Sequence, residues 1–275
     1  MSTRSRVLIG VGVGVAAVVV ASVAGYFALN QKHRNSPLPD DGYVTTAAKP
    51  GAALPSDAEC AERVHRSPWE PRPDNAEANR TTPEQPVELA DNSSFDEKWQ
   101  QKYKTRITGN FTGTTDEIIQ WAACKWGFPD NVVRAQAVEE SHWHMSAESD
   151  DEPRSNDHCA PGDDRDPCPT SFGMLQIKWY FNPSTDPEGN SYPMSKTMTA
   201  FSLDYALAAQ RGCYDGLSFE GAKTRGDLWG CLGMWFSGEW DTDGGNEYAS
   251  RVKHRLDAKD WLYWGKKVPT STTAG

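Results

Sequence analysis

The sequence predicts a mainly helical domain that follows an apolar N-terminal run and a proline-rich stretch. Three observations carry the prediction. Apolar residues recur at helical spacing between recognisable caps from Thr114 onward. Half of the eighteen prolines fall between Asn35 and Pro86, and all six cysteines come after the apolar run. The 275 residues exceed one ordinary domain, and the N-terminal third differs in composition from the rest, so the folded part is placed toward the C-terminus.

The chain begins with Val7 to Leu29, almost wholly apolar and uncharged, preceded by Arg4 and Arg6 and followed by Lys32, His33 and Arg34. As a helix this run spans roughly 34 Å, enough to cross the hydrocarbon core of a bilayer. A cleaved signal peptide is the alternative, with Ser22-Val23-Ala24 as a small-residue cleavage site and a secreted product. The run continues through Gly25, Tyr26, Phe27, Ala28 and Leu29, and that length favours a retained single-pass anchor over 7–29, in the cell membrane, behind a short cytoplasmic stretch over 1–6. Basic residues flank both ends, so charge asymmetry decides the orientation poorly. With the N-terminus inside, either reading places the remainder outside the cytoplasm.

The next stretch, 30–95, carries the prolines among Ala, Ser, Thr and charged residues. Such composition buries little apolar surface and favours extended backbone, which predicts an extracytoplasmic linker. Cys60 and Trp69 run against a free linker. If Cys60 pairs with Cys124, part of the segment is strapped to the folded domain, 96–265, that follows; a flexible tail is expected over 266–275.

Six cysteines in an exported chain predict disulfides, and six allow about fifteen pairings. Cys159 with Cys168 closes an acidic loop, Cys213 with Cys231 ties two successive helices, and Cys60 with Cys124 is left by elimination. The absence of any CxxC pair argues against zinc. No metal or other cofactor is expected.

Order begins near Thr114. Thr114 and Glu117 have the spacing of a capping box, Ile118, Trp121 and Ala122 follow at helical spacing, and Gly127 supplies a left-handed stop. After Pro129, residues Asn131 to Ser141 predict a second helix with Asp130 as its cap. Val133, Ala137 and Glu140 share one stripe, so a largely apolar face ends in a carboxylate; Glu139 falls on the neighbouring stripe with Val132 and Ala135. Periodicity does not choose between the two acids. Further on, Ala200 to Cys213 predicts a helix with Phe201, Tyr205 and Ala208 on one face, and Asp227 caps another that runs through Trp235 and Phe236 to Gly238.

Composition excludes some classes of function. A net charge of −10 gives no generally basic surface for a nucleic-acid partner. Neither a Gly-x-Ser-x-Gly elbow nor a phosphate-cradling glycine loop is present. His142 and His144 flank Trp143 without a Ser or Cys nucleophile motif beside them. Eleven Trp residues serve either as core anchors or as platforms for sugar rings.

Glu140-Ser141-His142 at the end of a helix, followed some thirty residues later by Gly173-Met174-Leu175-Gln176-Ile177, resembles the paired motifs of soluble lytic transglycosylases and goose-type lysozymes, members of the lysozyme-like superfamily. The resemblance covers roughly Thr114 to Leu262. It implies a lysozyme-like, mainly α (α+β) domain with a small β region. It also implies cleavage of the MurNAc-GlcNAc β-1,4 bond of peptidoglycan, with Glu140, the Glu directly before Ser, as the catalytic acid. Ser141, Gly173, Met174, Gln176, Trp235 and Tyr248 are the implied substrate-binding set. Gly173 permits close backbone approach, and Gln176 offers both a donor and an acceptor. Met234-Trp235-Phe236-Ser237-Gly238 stands where transglycosylases carry Ala-Tyr-Asn-Ala-Gly, with Phe236 in place of the family's Asn. Tyr248 stands in the family's Tyr-Val-x-x-Val element; Tyr248, Val252 and Leu256 also form an ordinary packing stripe.

The chemistry gives its own reason for such a carboxyl. Breaking a glycosidic bond requires a proton on the leaving oxygen, which a Glu supplies near neutral pH when apolar surroundings disfavour its charge. Hydrolases add a second carboxylate, whereas lytic transglycosylases use one Glu as acid and then base and leave 1,6-anhydro ends. The goose-type Asp soon after the Gln is absent, because Lys178 follows Ile177. Between the motifs, however, Glu148, Asp150, Asp151, Glu152, Asp157, Asp163, Asp164 and Asp166 form an acidic segment. A hydrolytic muramidase drawing an Asp from that segment is therefore the first alternative, and a catalytically silent glycan-binding wall protein the second.

Overall fold

The computed structural model describes residues 44, 46–91, 95–181 and 191–264. The anchor expected over 7–29 and the tail expected over 266–275 lie outside them. Among the described residues no helix is long and apolar enough to cross a membrane. The described part is mainly helical and belongs to one compact unit, Gly42–Gly275.

The first helices are short. α1 (Asp57–Arg63) opens on a capping box between Ser56 and Glu59, and α2 (Glu97–Lys102) is capped by Asp96. The centre of the molecule is α3 (Thr115–Trp126), and every residue of it is buried. The predicted Thr114–Glu117 capping box and the left-handed Gly127 bound it. α3 packs on α1, on α4 (Asp130–Ser141) and on the long α6 (Thr199–Asp215), which follows the single turn α5 (Met194–Thr197). At its core, the fully buried Lys125 lies 2.7 Å from both Asp57 and Asp204, and Asp204 also accepts the Trp126 indole N–H at 2.7 Å. One ammonium thus ties α1, α3 and α6 together, and the carboxylates and donors around it satisfy what would otherwise be a costly buried charge.

α7 (Leu228–Ser237) and α8 (Asp243–Ala258) complete the helical body, with α8 packed on both α7 and α4. Their crossing is close because glycine meets glycine. A side chain on Gly233 would stand 2.9 Å from the Gly245 carbonyl oxygen, and one on Gly245 would stand 2.8 Å from that of Gly233. Asp227 and Gly238 cap α7 as predicted. Between α4 and α5 lies a small antiparallel sheet in the order β1 (Glu148–Ser149), β2 (Ser171–Phe172), β3 (Ile177–Lys178), pairing Ser149 with Ser171 and Phe172 with Ile177.

The three disulfides join Cys60 to Cys124, Cys159 to Cys168 and Cys213 to Cys231, the expected pairings. Such bonds fit an oxidising compartment outside the cytoplasm.

Two readings of the sequence need correction. Residues 46–91, assigned by composition to a Pro-rich linker over 30–95 that a Cys60–Cys124 pair would strap in part, pack on the helical body, and the compact unit begins at Gly42 rather than at 96. The attachments are specific. Asn75, 1% exposed, donates through Nδ2 to Thr115 Oγ1 (3.0 Å) and the Trp143 carbonyl (2.7 Å), and its Oδ1 accepts the Met145 N–H (2.8 Å). Glu70 accepts the Thr115 N–H at 2.7 Å. Prolines disfavour regular elements, but side-chain hydrogen bonds and a disulfide hold an irregular segment equally well. Second, Asp130 is the first residue of α4 and not its cap. Pro129 occupies the cap, and the Asp130 carboxylate accepts the Val44 N–H at 3.2 Å.

Candidate active site

The site is built at the C-terminal end of α4. The helix is buried from Val132 through Val138, its last turn carries Glu139 and Glu140, and left-handed His142 (φ 51°) and Trp143 (φ 67°) end it abruptly. Ser141 Oγ donates to the Met174 carbonyl at 2.8 Å. The two sequence motifs therefore meet in space through this one hydrogen bond.

Geometry separates the adjacent acids that periodicity left equivalent. Both Glu139 oxygens are taken by guanidinium groups of α8, Arg251 Nε at 2.6 Å and Arg255 Nε at 3.0 Å. Glu140 instead turns toward buried surroundings, and its Oε1 accepts the Tyr248 hydroxyl at 2.5 Å. Burial pushes the Glu140 carboxyl up to about 8; the Tyr248 hydrogen bond and the Trp235 indole pull it back, while the negative charges of Glu139 and Asp150 push it further up. Tyr248 is 1% exposed, and burial together with the neighbouring Glu140 raises its phenol well above the ordinary value. It therefore remains a donor. Oε1 accepts that proton, which leaves Oε2 as the oxygen available to carry the acidic proton.

The Trp235 indole N–H lies at 3.2 Å from the Leu175 carbonyl, within the second motif, while also facing Glu140. Beside it opens an apolar cleft of about 240 Å³ lined by Gln176, Lys178, Tyr205, Met234, Trp235 and Phe219, among others, with the Cys213–Cys231 disulfide in its wall. Gln176 and Trp235 both line this cleft; Glu140 and Tyr248 do not, and Glu140 meets it through the Trp235 indole.

Other members of the implied binding set have more local work. Gly173 (φ 78°) approaches the Ser195 carbonyl so closely that a side chain there would stand 2.3 Å from it. Its glycine requirement is thus explained by protein packing. The Met174 side chain is fully buried, leaving its carbonyl as the contact to Ser141. The Gln176 amide donates to the carbonyls of Gly173 (2.7 Å) and Ala147 (3.2 Å) and accepts the Ser149 hydroxyl (2.5 Å), so it braces the loop that carries the second motif.

Behind the acid stand one residue that sequence reasoning missed and one that it named only within the acidic segment. Gln136 lies one turn before Glu140, with its amide beside the Tyr248 hydroxyl and its Oε1 accepting from Gln210 Nε2 at 3.1 Å. A polar residue four positions before Glu140 on an apolar stripe was the available signal. Asp150 is the other. Its Oδ2 accepts the Ser171 hydroxyl at 2.6 Å, Lys178 Nζ lies 3.7 Å away, and its charge reaches Glu140. Much of the remaining acidic segment is engaged in ion pairs, Arg165 with Asp163 and Glu148, Lys196 with Glu148, and Lys178 with Glu152, and the His158 ring lies 2.7 Å from Glu152. His144 faces Asp74 at 2.6 Å and His142 is exposed. Among the described residues no group of three His, Cys, Asp or Glu gathers to hold a metal ion.

Comparison with protein-family models, curated proteins and solved structures returns no match to this chain.

Proposed function

We propose that this protein cleaves the glycan strand of peptidoglycan as a lytic transglycosylase of lysozyme-like architecture, with Glu140 as the single acid and base. The observation that carries the reading is the Glu140 carboxyl itself: pushed up to about 8, fixed at one oxygen by Tyr248, and linked through Trp235 to an apolar cleft. An acid of that pKa is protonated at neutral pH and still close enough to the working pH to exchange its proton.

In the first step Glu140 Oε2 gives its proton to the bridging glycosidic oxygen, and the bond from C1 to that oxygen breaks. The oxygen's electrons leave with the departing sugar, and the cationic C1 is stabilised by the neighbouring N-acetyl group. In the second step the 6-hydroxyl of the same sugar attacks C1 and returns its proton to Glu140. The product carries a 1,6-anhydro ring and no water is consumed. The disulfides support an extracytoplasmic address, and the apolar run over 7–29 supports a membrane-anchored one.

A hydrolytic reading has one observation in its favour. Asp150, anchored by Ser171 beside the second motif, is the acidic-segment carboxylate whose charge acts on Glu140, and an Asp there could activate water. Mass spectrometry of digested peptidoglycan separates the cases. Anhydro ends are expected; reducing ends would assign the hydrolase, and binding without cleavage a silent glycan-binding protein. Glu140→Gln should abolish cleavage with the fold and glycan binding retained, whereas an inactive Glu139→Gln beside an active Glu140→Gln would overturn the assignment.

A further inference from the structure

The last turn of α7 presents two consecutive aromatic side chains, and only Trp235 enters the chemistry above. Phe236 is among the few large apolar side chains left open to solvent, 52% exposed. Its ring lies parallel to that of Tyr248, with centroids 4.8 Å apart and planes inclined by 9°. Tyr248 therefore covers one face, while about half of the side chain stays open to solvent. One ring stack and one hydrogen bond separate Phe236 from the Glu140 carboxyl. The Arg251 guanidinium, 5.5 Å from the Phe236 centroid, is itself held at 2.6 Å by Glu139. The ring is thus braced by two residues of α8, each bonded to one of the paired acids of α4.

A rigid aromatic face left open beside a general acid is suited to the apolar C–H face of a pyranose ring. A hydrogen-bonding side chain at the same position would hold a sugar by its substituents; a flat ring holds it by shape and apolar contact. Leaving such a ring in water has no folding benefit on its open side, since burial is what stabilises an aromatic side chain.

Resting on the reading of Glu140 as a glycan-cleaving acid, we infer that Phe236 is the stacking platform for a sugar ring next to the scissile bond, a specificity-determining residue that selects a pyranose by its face.

The test uses the full chain and two probes, a soluble N-acetylglucosamine hexamer and intact peptidoglycan. In the inactive Glu140→Gln background, Phe236→Ala should weaken hexamer binding roughly tenfold by calorimetry, while Phe236→Trp and Phe236→Tyr restore it. In the active background Phe236→Ala should raise KM on peptidoglycan and leave the alkaline limb of the pH profile in place. Unchanged binding in the double variant would overturn the inference, as would an alkaline limb that moves at constant KM, because the ring would then serve only to pack Tyr248. If the parent neither cleaves peptidoglycan nor, as Glu140→Gln, binds the hexamer, the underlying function falls and this inference with it. Normal cleavage with a silent Phe236→Ala removes the platform alone.

Discussion

At the scale of single residues, two neighbouring carboxylates with the same intrinsic chemistry receive opposite surroundings. Glu139 faces two guanidinium groups; Glu140 faces a phenol and an indole. Tyr248 is the tuning group in this arrangement, because its hydrogen bond favours the ionised form of Glu140 while burial favours the neutral one. Tyr248→Phe removes the first influence and keeps the second. The carboxyl should then rise above about 8, and the alkaline limb of the pH–rate profile should move to higher pH; a limb that moves lower would contradict the account. The choice between these acids was not legible in the sequence. Helical spacing places them on adjacent stripes, and what separates them is α8, whose Tyr248, Arg251 and Arg255 lie more than a hundred residues further along the chain. Resemblance selected Glu140, and the contacts give that selection a physical reason.

At the scale of elements, what was legible is what is decided locally. Thr114 with Glu117, Gly127, Asp227 and Gly238 all cap where predicted, since a cap is satisfied by residues three or four positions away. Elements fixed by tertiary contact were not legible. The strands of the sheet are two residues long and carry no periodic signal. α1, seven residues long, lies in proline-rich surroundings, although the Ser56 and Glu59 spacing of its capping box was there to be read. The segment containing α1 is structural, and Asn75 is its central fastening. Asn75→Ala would leave the Trp143 carbonyl and the Met145 N–H without their side-chain partner in a buried setting. A loss of about 2–4 kcal/mol is expected in urea unfolding. A change within a few tenths would return the segment to the status of a loose linker.

At the scale of the whole molecule, Asp130 and Glu140, at opposite ends of α4, both contribute to the pH dependence of stability. Burial raises Asp130 from 3.8 to about 7 and Glu140 from 4.5 to about 8. Because each folded-state value lies above the unfolded one, these two groups bind more protons in the native state, and their contribution to stability is greatest below the ordinary carboxylate range. It falls as pH rises through about 7 and about 8. The urea midpoint should therefore drop between pH 5 and pH 9 through these groups, and Glu140→Gln combined with Asp130→Asn should flatten that drop; an unchanged slope would show that neither acid is buried as described. The same helix also fixes where load enters the protein. Val44 and Asp130 exchange backbone and side-chain hydrogen bonds, Ala48 bonds to the Gly127 carbonyl, and Cys60 is locked to Cys124. Glu140 lies ten residues beyond Asp130, about 15 Å away along the helix axis. The first described residue of the chain is therefore fastened at the end of α4 opposite Glu140, so that a pull entering through Val44 meets the helix a full ten residues from that carboxyl.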